Sequence, residues 1–345
     1  MTRTIVHAGF HKTGTTTIQN ALRDHAGWLA GQGVHYPDDP SGLGGHPGLA
    51  CWLSRPRAAS QLNDLFQIER ESYARTQGFR SIPDDTYTGA CATDLPLRLI
   101  SSEVIDTFDA AELERLESFL APIDRVVVYY RGGVRFPYAC WSAKVHWGAV
   151  QSFPEFLRDA WARKPATAIA AQVSQIDSLI ARFGEHRISV RGFDAAHGHP
   201  RGLIGDFVEQ ALGLPPIEPF LARPAANVTP PLMVIEILRA ISVAVGSGNP
   251  IREAQARFFQ SMQTLRGPAP DELAERLAPL VRSVSIADVA GSPVRADGLV
   301  DLPDTPAARR LADWRFAAHE AVQYIATGDL MQALSDSALF QSFVG

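Results

Sequence analysis

The fold is decided near the start of the chain, by the stretch Thr4-Ile5-Val6-His7-Ala8-Gly9-Phe10-His11-Lys12-Thr13-Gly14-Thr15-Thr16-Thr17. An apolar strand runs into a glycine-containing turn, and a helical pattern follows directly. Strand, turn and helix N-terminus form an anion-binding unit, because free backbone N–H groups and the positive end of the helix dipole converge on one point. Lys12 adds a positive charge and the threonines add hydroxyl groups. The stretch predicts a phosphate or sulfate ester next to residues 9–17.

The same stretch differs from a Walker A loop at one decisive position. Gly9 and Gly14 have the spacing of GxxxxGK[ST], but Thr15 stands where that motif has its lysine. Lys12 lies inside the loop instead. A loop that holds a nucleoside triphosphate with Mg²⁺ normally needs the later lysine, so the pattern argues against a kinase or an ATPase. A turn that only caps a helix has no use for lysine and glycine in this order.

Composition sets the class of protein. A chain of 345 residues is long enough to bury a sizeable core. The net charge of −5 argues against non-specific binding to nucleic acid. The three cysteines have no CxxC spacing, so we interpret them as reduced core thiols, and we expect no metal site. The N-terminus has no signal-peptide pattern, and no apolar run approaches the roughly 20 residues that span a bilayer. We therefore expect a cytoplasmic protein; its oligomeric state stays open.

Strands and helices alternate over the first two thirds of the chain. Strand patterns follow the opening strand at 34–37, 97–103, 125–131 and 187–193, and helical patterns lie at 15–29, 110–120, 134–147, 153–161, 166–183 and 203–212. From residue 230 onward the patterns are only helical, at about 230–245, 250–266, 270–283 and 306–325. This alternation predicts an α/β fold, a P-loop-like doubly wound parallel sheet flanked by helices, with a helical C-terminal extension.

The domain organisation follows from the same patterns. We expect residues 1–245 to form one α/β domain, and residues 246–345 to form a helical extension packed on it. Residues 38–96 are rich in Gly, Pro, Asp and Arg, with one helical stretch around 58–74. A long irregular insertion in a compact domain is usually functional, so we expect 38–96 to face the acceptor substrate.

The order Lys12-Thr13-Gly14-Thr15-Thr16 behind a buried strand resembles the 5′-phosphosulfate loop of sulfotransferases that use PAPS (3′-phosphoadenosine 5′-phosphosulfate), whose pattern is Lys-[Ser/Thr]-Gly-Thr-Thr. Residues 188–193, 205–207, 212–214 and 227–229 resemble later segments of bacterial carbohydrate-type members. The resemblance covers about residues 4–245. It implies transfer of a sulfuryl group from PAPS to a hydroxyl of a sugar or other polar small-molecule acceptor, with 3′,5′-ADP as product and no metal.

The resemblance also implies site residues. Lys12 would be catalytic, since a lysine at the bridging oxygen stabilises charge on the leaving phosphate in the transition state. Arg131 would bind the 3′-phosphate, and Phe193 matches a tyrosine near the adenine. The 5′-phosphosulfate would be bound by the loop residues His11, Lys12, Thr13, Gly14, Thr15, Thr16 and Thr17.

One family feature is missing. The family pairs the arginine with a serine eight residues later, and that position here is Ala139. Ser142, one helical turn further on, is the predicted substitute for binding the 3′-phosphate. Arg135 is an alternative donor, or is simply solvated. How the adenine is held, beyond Phe193, stays open.

Glu103, at the end of a strand, is the predicted catalytic base, because an acceptor hydroxyl must lose its proton as it attacks sulfur. The alternatives are a capping role or an ion pair with Arg131. His46 resembles a histidine of the acceptor loop in related bacterial proteins, and the alternative is a histidine without such a role. For the whole chain, a P-loop nucleotide phosphotransferase and a non-catalytic nucleotide-binding homologue remain the alternative functions.

Overall fold

The computed structural model describes residues 2–42, 45–54, 82–163, 168–215, 230–246, 249–264, 269–289, 292, 304–310 and 321–344. Their backbone packing separates two compact units. The first comprises the described residues within 1–131, 171–227 and 303–312, and the second those within 132–170, 228–302 and 313–345. The predicted domains 1–245 and 246–345 stay a prediction. The helical stretch predicted around 58–74 lies outside the described residues.

The first unit is built on a parallel sheet. The described strands are β1 Arg3–Ala8, β2 Val34–His35, β3 Leu97–Ser102, β4 Ile123–Tyr130 and β5 Ile188–Gly192. Their order is β2-β3-β1-β4-β5, and all four pairings are parallel. The buried runs Thr4–Ala8 of β1 and Val126–Tyr129 of β4 suit a sheet whose central strands are covered on both faces. This arrangement, with helices flanking the sheet, confirms the predicted α/β class.

Helices connect the strands and make up most of the second unit. In chain order the described α-helices are α1 Thr15–Asp24, α2 Ala26–Gly31, α3 Pro47–Leu53, α4 Asp84–Cys91, α5 Ala110–Leu120, α6 Arg135–His146, α7 Phe153–Arg163, α8 Ala168–Phe183, α9 Phe193–His197, α10 Gly202–Gly205, α11 Leu232–Val245, α12 Asn249–Thr264, α13 Ala269–Leu277, α14 Pro306–Arg310, α15 Thr327–Leu334 and α16 Ala338–Val344.

Several boundaries differ from the sequence prediction. The helix predicted over 15–29 is divided at His25, beyond which Gly27 and Gly31 weaken the helical preference. The helix predicted over 203–212 is α10 followed by a π-helical turn, Asp206–Ala211. The segment expected to be irregular contains the short helices α3 and α4.

The all-helical prediction for the C-terminal part is wrong at two places. Arg282–Ser285 (β6) and Ala321–Tyr324 (β7) pair as an antiparallel ribbon, whereas helices were predicted to extend to 283 and 325. Helix α13 ends at Leu277, where the 3-10 turn Ala278–Leu280 with its proline follows. In β7, Val322 is buried between the exposed residues Ala321 and Gln323, as in a ribbon with one buried side.

Each unit has its own core. In the first unit, Ile5 and Val127 of the sheet pack with Ile18 and Leu22 of α1 and with Phe207 of the π-helical turn. In the second unit, α11 is the central helix, and its apolar side chains pack with those of α6, α7, α12 and α16. None of the helices in the described ranges has the length and apolar character needed to cross a membrane.

Candidate active site

The loop Gly9–Gly14 lies at the carboxyl end of β1, the central strand of the sheet. Strand β3 pairs with β1 on one side and β4 pairs with β1 on the other, so the direction in which strands are added to the sheet reverses at β1. Ligands of open α/β sheets bind at such a switch point, outside the carboxyl ends of the strands. The Gly9 N–H donates to the Ser102 carbonyl at 3.1 Å, which fixes the start of the loop to the end of β3.

The carbonyl of Phe10 organises the loop. It accepts from the Thr13 N–H at 3.3 Å, from Thr13 Oγ1 at 2.6 Å and from Thr15 Oγ1 at 3.3 Å. Both threonine side chains are buried. Their hydroxyl protons therefore hold the loop together, and this geometry does not support the prediction that they donate to a bound phosphosulfate.

The N-terminus of α1 keeps its anion-binding character. Gly14 has φ 76°, and the first helical hydrogen bond runs from the Ile18 N–H to the Gly14 carbonyl at 3.1 Å. The N–H groups before Ile18 have no carbonyl of the preceding turn within the helix to bond to. Thr16 is exposed and Thr17 half-buried on the first turn. Backbone N–H groups and the helix dipole are thus the groups that can bind an anion here.

Lys12 has φ 63°, a left-handed conformation that among the described residues other than glycine occurs at this position alone. Its carbonyl accepts from Arg131 Nη1 at 3.4 Å. The preceding residue, His11, is bound through its N–H and Nδ1 to Asp106 Oδ2, at 3.1 and 2.6 Å. A left-handed residue other than glycine is strained and persists where its surroundings determine it, typically at functional sites.

Arg131 directly follows β4 and lies beside the loop. Its backbone N–H donates to Gln172 Oε1 at 3.1 Å, and Gln172 Nε2 donates back to its carbonyl at 3.4 Å. The guanidinium carbon lies 5.0 Å from the ring centroid of Phe193, in a cation–π contact. The arginine is therefore held at its backbone by an amide and at its head by an aromatic ring.

Phe193 is the first residue of α9 and not, as predicted, the last residue of a strand. Its buried ring lies so close to the loop that a Cβ added to Gly14 would be 2.9 Å from Phe193 Cε2. The structure thus brings four of the predicted residues together at one edge of the sheet, namely Lys12, Gly14, Arg131 and Phe193.

Glu103 opens the 3-10 turn Glu103–Thr107 directly after β3 and is half-buried. Gln19 Nε2 donates to its Oε2 at 3.0 Å and to the Ser101 carbonyl at 3.2 Å. The turn is capped by Ser102 Oγ, which accepts from the Val104 N–H at 3.2 Å, so Glu103 is not the capping residue. The carboxylate is positioned by helix α1, whose N-terminus is the predicted anion site.

Gln19 was not identified from the sequence. The residue is 3% exposed and lies next to the apolar stripe of α1 that includes Ile18 and Leu22. A polar residue at the border of a buried stripe is the available signal, because a buried amide needs hydrogen-bonding partners. The partner itself is 84 positions away in the chain, and only the fold shows it.

His46 is 1% exposed, and both ring nitrogens bind the backbone. Nε2 donates to the Pro37 carbonyl at 2.9 Å, and Nδ1 accepts from the Ser101 N–H at 3.1 Å. Burial lowers the pKa of His46, which keeps the ring neutral in this role. The predicted contact with an acceptor has no support in this geometry; the ring instead stabilises the end of β3 next to Glu103.

Ala139 stands where the family has its serine, and Ser142 and Arg135 are the predicted replacements. All three lie on α6, in the second unit. Ser142 and Ala139 are buried there, and Arg135 is exposed. A role of Ser142 or Arg135 at the 3′-phosphate stays a prediction. Within the described ranges, no group of three or more His, Cys, Asp or Glu side chains is arranged to hold a metal ion.

A hydrogen-bonded network between β4, β5 and the π-helical turn was also not predicted from the sequence. Asp206 Oδ1 accepts from the Tyr129 hydroxyl at 2.6 Å and from Arg191 Nε at 2.7 Å, and Oδ2 accepts from Arg191 Nη2 at 2.5 Å. Burial alone would raise the pKa of Asp206, but the hydrogen bonds from Arg191 and Tyr129 lower it, so the carboxylate is charged. The network links β4, β5 and the π-helical turn.

Comparison with known proteins adds little to this geometry. No family model matches the chain, and no curated protein matches it in sequence. A crystal structure of a sulfotransferase from Alicyclobacillus acidocaldarius is similar over 68% of this chain and 89% of its own, with a TM-score of 0.34 and 13% sequence identity. A likeness this weak carries no argument about fold or activity.

Proposed function

We propose that the chain is a sulfotransferase that moves the sulfuryl group of PAPS to a hydroxyl of a sugar or other polar acceptor and releases 3′,5′-ADP. The observation that carries the proposal is the position of Arg131 and Phe193 beside a lysine-containing loop that lacks the Walker lysine. This arrangement suits a nucleotide that carries phosphate at both the 5′ and the 3′ position of its ribose. The start of α1 offers an anion site for the 5′ end, Arg131 offers a guanidinium for the second phosphate, and Phe193 offers an aromatic ring beside it.

Each of these groups has a task in the proposed reaction. The backbone N–H groups at the start of α1 bind the phosphosulfate, and Arg131 binds the 3′-phosphate. Lys12 donates to the bridging oxygen, where charge develops as the sulfur–oxygen bond of the donor breaks. The acceptor oxygen forms the new bond to sulfur, and Glu103 takes the proton that this oxygen releases. The donor is a co-substrate, and the mechanism uses no metal.

The donor site can be tested without knowing the acceptor. We expect millimolar 3′,5′-ADP to raise the melting temperature of the chain by several degrees, because a ligand that binds only the native state stabilises it. 5′-AMP, which lacks the 3′-phosphate, should stabilise less, and ATP with Mg²⁺ should not stabilise at all. Arg131→Ala should remove the difference between 3′,5′-ADP and 5′-AMP.

Arg125→Ala is the matched control. This arginine lies near the other end of β4 and donates to the Ala211 carbonyl at 2.9 Å, so its loss should lower stability without changing the ligand response. No stabilisation by 3′,5′-ADP would overturn the proposal. Stabilisation by ATP only in the presence of Mg²⁺ would indicate a phosphotransferase instead. Binding without any transfer of labelled sulfate from PAPS to sugar hydroxyls would indicate a non-catalytic homologue.

A further inference from the structure

Asp106 is not among the residues of the proposed donor site, but it binds a residue of the donor loop. One carboxylate oxygen, Oδ2, accepts two hydrogen bonds from the same loop residue: the backbone N–H of His11 at 3.1 Å and its ring Nδ1–H at 2.6 Å. The side chains of His11 and Asp106 are 20% and 10% exposed. Asp106 therefore fixes both the backbone and the imidazole of the residue directly before Lys12.

The backbone on both sides of this lysine is bound. His11 is attached to Asp106, the Lys12 carbonyl accepts from Arg131 Nη1 at 3.4 Å, and Thr13 closes the loop onto Phe10. Between these contacts, Lys12 keeps its left-handed φ of 63°. Without such contacts a residue with a Cβ would leave this conformation, because the left-handed region is strained for all residues except glycine.

The contact between the histidine ring and the carboxylate is short. The ring N–H of His11 donates to Asp106 Oδ2 at 2.6 Å, and a hydrogen bond to an ionised acceptor is stronger than one between neutral groups. The pair therefore gives the loop a firm support directly before Lys12.

We propose that Asp106 is a positioning residue of the donor loop, which acts through His11 to hold Lys12 in its left-handed conformation beside the transferring group. The inference rests on the proposed sulfotransferase function. Glu103 and Asp106 lie on the same 3-10 turn, Glu103–Thr107. This one turn after β3 thus carries the proposed base and also supports the loop that holds the donor.

The test is a double-mutant cycle on the affinity for 3′,5′-ADP, measured by calorimetry on the full chain. His11→Ala and Asp106→Ala should each weaken binding roughly 10-fold, the lower end of the loss seen when a residue that orients a metal ligand is removed. The double variant should bind no more weakly than the weaker single variant, since both changes remove the same link. Asp106→Asn keeps an oxygen that can accept both bonds, so it should restore affinity to within a few-fold of the wild type.

Asp109→Ala controls for a merely structural effect. Asp109 caps helix α5 three residues further on, in a capping box with Glu112, so its loss should lower the melting temperature but leave the affinity unchanged. Independent, multiplicative losses in the cycle, or an Asp106→Ala affinity equal to that of Asp109→Ala, would overturn the role of Asp106 alone. Failure of the wild type to bind 3′,5′-ADP would instead overturn the proposed function and this role together.

Discussion

The side-chain amide of Gln19 donates to Oε2 of Glu103 at 3.0 Å and connects the helix behind the anion-binding loop to the proposed base. A donor to a carboxylate favours its charged form. The same amide also donates to the Ser101 carbonyl, at the end of β3. Helix α1 thus sets the position of the anion and that of the carboxylate with respect to the same strand.

Replacing Gln19 by Leu should therefore slow the reaction. The carboxylate of Glu103 then loses the hydrogen bond that holds it towards α1, so kcat for sulfate transfer should fall while the affinity for 3′,5′-ADP hardly changes. Gln175→Leu is the control, because this amide donates to the Ile105 and Phe108 carbonyls around the same turn without binding Glu103. An unchanged kcat in the Gln19 variant would contradict the link.

Replacing Glu103 by Gln should separate chemistry from donor binding. An amide cannot take the proton of the acceptor hydroxyl, so the rate of sulfate transfer should fall by roughly 10²–10⁴-fold. The affinity for 3′,5′-ADP should hardly change. Glu117→Gln is the control: this carboxylate of α5 pairs with Arg182 and should leave transfer intact. Full activity of the Glu103 variant would make this residue structural.

The sheet could be predicted from the sequence, because the apolar runs around Val6 and Val127 carry a local signal for buried parallel strands. The ribbon β6–β7 could not, since four-residue strands give too short a pattern to separate from a helix end. At the site, the loop and Arg131 are recognisable from motif and strand end. The bonds of Asp106 to His11, and of His46 to Ser101, join residues far apart in the chain.

Gly14→Ala should damage both the fold and the site. Its φ of 76° is left-handed, which costs an L residue about 1–2 kcal/mol. The added Cβ would also lie 2.4 Å from Leu203 Cδ2 and 2.9 Å from Phe193 Cε2, and such overpacking costs about 1–3 kcal/mol. We expect urea denaturation to show a loss of stability of this order and calorimetry to show weaker binding of 3′,5′-ADP.

Gly27→Ala is the control for that variant. Gly27 lies in α2, and an added Cβ there meets no atom within 4 Å. Alanine in an open helical position should be neutral or stabilising by about 0.5–1 kcal/mol. Equal stability of the two glycine variants would contradict the close contact of Phe193 with the loop.

His7 should make the fold sensitive to acid. Burial lowers its pKa to about 3, while the unfolded chain takes up the proton near pH 6.5. The stability that this neutral histidine contributes is complete above about pH 6.5 and is lost as the pH falls towards 3, by about 1.4 kcal/mol per pH unit. Urea titrations across that range measure how the free energy of unfolding depends on pH. In the His7→Leu variant this dependence should be smaller by the uptake of one proton.

A second buried histidine limits the effect of this substitution. Burial also lowers the pKa of His46, so the His7→Leu variant should retain part of the acid sensitivity. A His7 variant with the full wild-type slope would show that the ring does not stay neutral in the folded chain.

The second unit contains a buried ion pair on α11, Glu236–Arg239, in which both side chains are 0% exposed. Arg239 Nε donates to Glu236 Oε2 at 2.6 Å, and Nη2 donates to the Ile325 carbonyl at 2.6 Å, next to β7. Arg239→Met leaves a buried carboxylate without its partner, so unfolding in urea should show a loss of about 3–5 kcal/mol.

Removing both charges distinguishes this pairing from general packing. Glu236→Leu with Arg239→Met should recover much of the loss, because no unpaired charge then remains in the core. Burial raises the pKa of Glu236, so the single variant should regain stability as the pH falls and the carboxyl group is protonated. On the exposed surface, Arg276→Met removes the pair with Glu272 and should change stability by less than about 1 kcal/mol. A double variant as unstable as the single one would mean that the arginine stabilises the unit through its carbonyl bonds and not through its charge.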